Sequence, residues 1–403
     1  MKNKFTKQTT ALALRLASFY GAVFLLIGIF MPFFPVWLKS RHLDEVEISL
    51  ILAAPLLSRV LFTPLISFFA DHLGNRRLVL IRLTWGSFFA LLAFLPAQDF
   101  WVLLFISMSF GIFWTSIMPL TEAIAMTQVR QQGLDYGRIR LWGSLSFIAA
   151  SLIAGLLVDL WGEASILYMM LFAMATTIIA AYALPCDATK RQLEKTAPLP
   201  PIHWRDAARL MRSKLFILFL LTSACIQATH AIYYSFGTLH WQSLHIAAGL
   251  IGALWAVGVL AEVTLFAWSN VVIECIGPTR LLVFAALGAV VRWSLTAFDP
   301  PLGLLFLVQV LHAASFGAAH LGAIYFIARA VPERYSATGQ GLYAAFAMGV
   351  IMGLMTIISG TLYANFEGKA YLAMAVLGTG ALVGALVLDR KWNGEPIIGS
   401  GAK

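Results

Sequence analysis

Residues 255–293 read WAVGVLAEVTLFAWSNVVIECIGPTRLLVFAALGAVVRW. Two apolar runs flank a short turn. The first carries Glu262 and the second Arg292. An ionised side chain at the centre of a bilayer costs about 2.5–3.5 kcal/mol even on lenient insertion scales, so residues placed there mark a pathway or a partner. A separation of about 30 residues suits neighbouring antiparallel helices that hold the two charges at similar depth. The competing reading is an ion pair that only ties the helices together.

The rest of the chain fits a membrane setting. Its 403 residues are 60% hydrophobic and 12% charged, with a mean hydropathy of +0.83. Soluble domains carry about 25% charged residues. Spanning a bilayer takes about 20 apolar residues, and twelve such segments can be drawn: 12–37, 47–70, 77–96, 100–128, 138–160, 164–184, 215–240, 246–272, 279–298, 302–330, 335–364 and 368–388. The expected fold is an all-α membrane protein of twelve transmembrane helices. The first segment is full-length and lacks a small-residue cleavage site, so no cleavable signal peptide is expected.

A net charge of +9 would suit a nucleic-acid partner if it were clustered on one soluble face. It is not. Lys39, Arg41 and Lys369 are the basic residues of odd-numbered loops, and Arg15, Arg59, Arg82 and Arg292 lie inside segments. The others occupy the tails, the even-numbered loops and the segment ends that border them, which by the positive-inside rule puts both termini in the cytoplasm of a multi-pass plasma (inner) membrane protein. Cys186, Cys225 and Cys275 suggest no disulfide framework.

The longest polar stretch, residues 185–213, divides the chain into a half at 1–184 and a half at 214–403. Shifted by 203 positions, Arg59 falls on Glu262, Asp71 on Glu274, Gly74 on Gly277 and Arg77 on Arg280. Paired six-span halves with a binding site at the midplane are a transporter architecture. Arg59 sits near the middle of span two between Pro55 and Pro64, where kinks are expected. Span seven carries Gln227, His230, Tyr233 and Tyr234. Span ten carries Gln309, His312, Phe316 and His320 on one helical stripe, a surface suited to protons or a polar substrate.

Between spans two and three, Asp71-x-x-Gly74-x-Arg76-Arg77 resembles the signature loop of the major facilitator superfamily, with Ser67 where that motif normally starts with glycine. Asp135-Tyr136-Gly137-Arg138-Ile139-Arg140-Leu141-Trp142-Gly143-Ser144, the MPFFPVWLK stretch, His230-Ala-Ile-Tyr233-Tyr234, Leu254-Trp255, Ala261-Glu262-Val263, Val291-Arg292-Trp293 and Leu311-His312-Ala313 followed by His320-Leu321 together resemble the phenylpropionate permease family. The resemblance implies a proton-coupled importer of small substrates. That family is similar to the oligosaccharide:proton symporters, whose charged residues on spans four, five, eight, nine and ten carry sugar and proton. Glu122, Arg140, Glu262, Arg292 and His312 or His320 stand on the matching spans. Those symporters add a carboxylate on span ten, and here none precedes Glu333.

The expected function is therefore secondary transport, a proton symport of a small aromatic or aliphatic carboxylate by a monomer without cofactor, metal or nucleic-acid partner. No phosphate-cradling loop, metal cluster or serine elbow argues for an enzyme or an ATP-driven pump. Glu262, Arg292, His312 and His320 are the candidates for proton coupling. For substrate the candidates are Arg59, Glu122, Arg140, His230, Tyr233, Tyr234 and Trp255. Gating falls to Asp71, Gly74, Arg76, Arg77, Asp135 and Arg138. The alternatives are a sugar or nucleoside symporter, a drug:proton antiporter and a non-transporting receptor on the same fold.

Overall fold

The computed structural model describes residues 2–185 and 204–397, and the elements there are helices. Most of the 185–213 linker, including Cys186, lies outside the described residues. Ten segments are long and apolar enough to cross a membrane. One of them, Thr338–Lys391, is 54 residues long and is broken at Glu367, whose φ is 48°, so it comprises two rods. The helix Arg76–Ala93 makes twelve; its 18 residues include Arg76, Arg77 and Arg82, which lower its hydropathy. The expected spans are thus present among the described residues. The expected span at 246–272 divides into Ala248–Ala267 and Ser269–Ile276 around Trp268.

By packing, the described chain forms two compact units. One contains the residues up to 185 together with Gly237–Ala256, and the other contains residues 204–236 and those from Val257 onward.

In the first unit, spans one (Lys2–Lys39) and two (Glu45–Leu73) run on as helix through Pro32, Pro35, Pro55 and Pro64. Proline at position 55 has no N–H for the Ile51 carbonyl. The Ser107 hydroxyl of span four donates to that carbonyl instead, at 2.7 Å. The close approach that allows this depends on Gly111, where a Cβ would stand 2.5 Å from Pro55 Cα. Lipid is as apolar as leucine, so small residues that let backbones meet are a main source of cohesion between membrane helices.

The same device joins span five (Tyr136–Trp161) to the start of span eight. A Cβ on Gly155 would collide with the Ala248 carbonyl, and one on Gly252 with the Ser151 carbonyl. Asp159 then caps the incoming helix, its carboxylate oxygens accepting the Ala248 and Gly249 N–H groups at 2.8 Å each. Those N–H groups lack an intrahelical acceptor. Gly252→Val is accordingly expected to destabilise the protein by about 1–3 kcal/mol through overpacking. A lowered Tm in detergent checks this, and an unchanged Tm contradicts it.

In the second unit the core stacks Phe219 on Phe326, with ring centroids 4.3 Å apart. Three of its spans are interrupted. Span seven breaks at Thr229–His230 between Lys214–Ala228 and Ala231–Ser243. Span ten passes from Leu302–Val310 through a π-helical segment, Ala313–Ala318, into Ala319–Ala330. Span eleven has a second π segment at Phe346–Ile351. Such bulges recur at functional sites, and two of these three interruptions meet at one buried cluster.

Candidate functional site

Arg292 of span nine (Pro278–Thr296) is completely buried. Its Nη1 donates to His312 Nδ1 at 2.9 Å and to Ser315 Oγ at 3.1 Å. Its Nη2 donates to Gln309 Oε1 at 2.9 Å. All three acceptors come from span ten, and the π segment there carries Ser315. The guanidinium also lies over two aromatic faces, 4.6 Å from the Tyr233 centroid and 4.4 Å from that of Trp293, a cation–π geometry that helps offset desolvation. Among the described residues, no carboxylate lies within ion-pair distance of it.

Glu262 is joined to this cluster through a histidine. His312 Nε2 stands 3.4 Å from Glu262 Oε2, so one imidazole touches the carboxylate with one nitrogen and the guanidinium with the other. The sequence suggested a direct pairing of Glu262 and Arg292; instead His312 of span ten stands between the two charges. On its far side the cluster extends through Ser315 Oγ to His230 Nε2 at 3.1 Å, and His230 Nδ1 lies 3.1 Å from the Gln227 carbonyl. Gln227 Nε2 reaches the Tyr343 hydroxyl at 3.4 Å.

The span-ten stripe survives the π turn. His312 stacks on Phe316 at 5.1 Å and Phe316 on His320 at 6.3 Å, with the planes within 5°. His320 is thereby removed from Arg292 by a full aromatic ring. Tyr234 packs against His230, centroids 5.6 Å apart, and Tyr233 lies 6.3 Å from His312.

The first unit holds the other candidates. Arg59 makes no hydrogen bond or ion pair with any described residue, and one turn along the same helix Thr63 lies 3.3 Å from Thr115 and 3.4 Å from Ser116. Glu122 accepts a hydrogen bond from the Tyr136 hydroxyl at 2.8 Å. Arg140 instead lies over Phe24 at 4.1 Å and Tyr20 at 5.8 Å, so Glu122 and Arg140 form no ion pair with each other. Trp255 Nε1 donates to Thr238 Oγ1 at 3.1 Å.

In the loop after span two, Gly74 takes the left-handed conformation, φ 62°, and its N–H closes on the Asp71 carbonyl. Only glycine adopts that geometry without a Cβ penalty. Arg76 Nε donates to Asp71 Oδ1 at 2.7 Å, and Arg77 donates to the Tyr182 carbonyl of span six. Asp135 caps span five by accepting the Arg138 N–H at 3.1 Å.

Residues 13–373 match the model of the MFS_1 like family. The chain belongs to that family. This major facilitator is 32% identical to the probable 3-phenylpropionic acid transporter of Escherichia coli (strain K12), over 91% of this chain and 95% of that protein. It is 28% identical to the maltose permease of Geobacillus stearothermophilus, over 92% of each. The crystal structure of the nucleoside transporter NupG superposes with a TM-score of 0.80 at 18% identity, over 95% of this chain and all of that one. That last likeness is one of fold.

Sequence reading of this transporter missed Ser315, Tyr343 and Tyr136 as members of polar clusters. Ser315 lies three residues after His312, a spacing that puts both on one helical face, and that was the available signal. Tyr136, at a span end where tyrosines are ordinarily interfacial, carried none, and neither did Tyr343, a lone tyrosine within an apolar span.

Asp71→Asn in this transporter is expected to slow turnover several-fold while leaving substrate affinity within about two-fold, because its ion pair with Arg76 lies at a loop rather than at the buried cluster. Exchange rates and binding constants measured side by side test this, and an unchanged rate would retire the gating role.

Proposed function

We propose that this secondary transporter imports a small aromatic or aliphatic carboxylate together with protons, across the cell's inner (plasma) membrane and with both termini cytoplasmic. The observation that carries this reading is Arg292. A wholly buried guanidinium held by neutral acceptors and flanked by Tyr233 and Trp293 matches an aryl or alkyl acid. Its planar fork suits two carboxylate oxygens and the rings suit an apolar body. The likeness to a probable 3-phenylpropionic acid transporter supports the same class. Arg59, without a counter-ion, is the second basic contact, and Tyr234, His230 and Trp255 complete the substrate candidates.

Glu262 and His312 supply the proton site, with His320 a ring further along. Halves at 1–184 and 214–403, joined by the 185–213 linker, rock against each other in this proposal. The Asp71–Arg77 loop and the Asp135–Arg138 turn gate the movement. The maltose permease match supports a sugar as the second reading, with Glu122 and Arg140 gripping hydroxyls.

Purified protein in proteoliposomes is tested for uptake of 3-phenylpropionate, maltose and uridine under an inward proton gradient. Saturable accumulation of the acid, abolished by a protonophore, is the expected result. Accumulation of maltose or uridine instead transfers the assignment. Export of drugs driven by the same gradient would make the protein an antiporter. Specific binding without flux would make it a receptor.

A further inference from the structure

The hydrogen bonds around Arg292 have determined directions. A guanidinium has N–H donors and no acceptor, so His312 Nδ1, 2.9 Å from Nη1, must present its lone pair. A neutral imidazole with a bare Nδ1 carries its proton on Nε2, and Nε2 is the atom facing Glu262 Oε2. His312 is thus a through-connection, accepting from Arg292 and donating to Glu262. A second proton on Nδ1 would oppose two N–H groups, so Arg292 excludes it.

The other branch is fixed in the same way. His230 Nδ1 faces the Gln227 carbonyl at 3.1 Å and the Thr229 hydroxyl oxygen at 3.4 Å. That hydroxyl's hydrogen is donated to the Ile226 carbonyl at 2.7 Å. Both neighbours are acceptors, so Nδ1 carries the hydrogen and a neutral His230 presents a bare Nε2 to Ser315. The Ser315 hydroxyl therefore accepts from Arg292 and donates to His230.

We infer that Arg292 acts as a lock on protonation of His312, and that an anionic substrate opens it by drawing the guanidinium away from His312 Nδ1. This rests on the carboxylate reading above. The freed lone pair takes a proton, giving an imidazolium whose Nε2–H faces the Glu262 carboxylate. The charges balance at each stage. Empty, the cluster holds Arg292 positive, Glu262 negative and His312 neutral. Loaded, it gains one monovalent carboxylate and one proton. Anion and proton therefore enter one for one, and the loaded step moves no net charge.

Among the described residues, the further titratable groups near His312 and Arg292 include His230, Tyr233 and Tyr234 of span seven, Tyr371 of span twelve, beside Arg292, and His320 on its own helix. None of these adds a carboxylate to Glu262. The structure puts Ser315 in place as a positioning residue, because its hydroxyl holds the second Nη1 hydrogen and keeps the first aimed at His312.

The test combines spectroscopy and flux. Histidine-selective 15N labelling of the protein in nanodiscs, with His312 assigned by loss of its signals in His312→Gln, reads the protonation of each ring nitrogen. Without substrate, His312 should show Nε2 protonated and Nδ1 bare from pH 6 to 8; with saturating 3-phenylpropionate, both should be protonated. A doubly protonated His312 in the empty protein, or no change when the acid binds, overturns the inference.

Glutamine at 312 retains an acceptor and a donor but cannot take up a proton. His312→Gln, checked for fold by its Tm in detergent, should lose at least ten-fold of its proton-driven accumulation of 3-phenylpropionate; normal accumulation overturns the inference. In wild-type proteoliposomes, clamping the membrane potential with valinomycin and potassium should leave steady-state accumulation unchanged, and a potential-dependent level refutes the one-for-one coupling. If no carboxylate is bound or transported at all, the proposed function fails, while the empty-state spectrum still decides the lock.

Discussion

Arg292→Lys is expected to lower proton-driven uptake of the carboxylate at least 100-fold. An ammonium is a single compact donor on a flexible stem, and it cannot reproduce a planar fork that serves His312, Ser315 and Gln309 together. Each buried polar group left without its partner costs about 1–3 kcal/mol. In the bound state the contacts at stake are the fork's two bonds to the substrate carboxylate, and losing both is enough for the stated factor, since about 1.4 kcal/mol corresponds to ten-fold. The check is the initial uptake rate together with the dissociation constant for 3-phenylpropionate. A Tm measured on the same sample separates loss of function from loss of fold. Uptake within three-fold of wild type would show that the guanidinium is structural.

Glu262→Gln is the second variant with a large expected effect. The glutamine Oε1 still accepts the His312 Nε2–H, so the cluster keeps its geometry. It no longer offers a negative charge to a protonated imidazole. Without that counter-charge a buried cation costs several kcal/mol. Accumulation against a gradient should be abolished while substrate exchange between the two sides persists. Should Glu262→Gln still concentrate substrate with normal pH dependence, Glu262 is a packing partner and the histidines alone carry the proton.

Much of this protein was legible before any coordinates. A hydrophobic content of 60% with 12% charge leaves few alternatives to a polytopic bundle, because each backbone polar group in lipid must be satisfied within its own helix. Span positions followed from the length that a bilayer demands. Glu262, Arg292 and His312 stood out because buried ionisable groups are expensive and so are rarely accidental. Where that energetic signal was weak, sequence reading stopped short. Span two was drawn through Pro55 and Pro64, but nothing in the sequence pointed to Ser107 of another helix, which replaces the bond that Pro55 forfeits. Residues with no helical partner in the sequence can acquire one across a glycine contact, and no local pattern announces which.

By itself, then, the chain's composition and periodicity determined a twelve-helix membrane protein with two arginines, a glutamate and a row of histidines at membrane depth. Tertiary structure alone decided how they are connected. It inserted His312 between Glu262 and Arg292, and it set Glu122 on Tyr136 while Arg140 turned to Phe24. It also used the π turn of span ten to bring Ser315 between Arg292 and His230. The reason is one of range. Burial cost is a property of each residue and can be read along the chain. Hydrogen-bond direction depends on which atoms of distant helices come within about 3 Å of each other, and only packing fixes that.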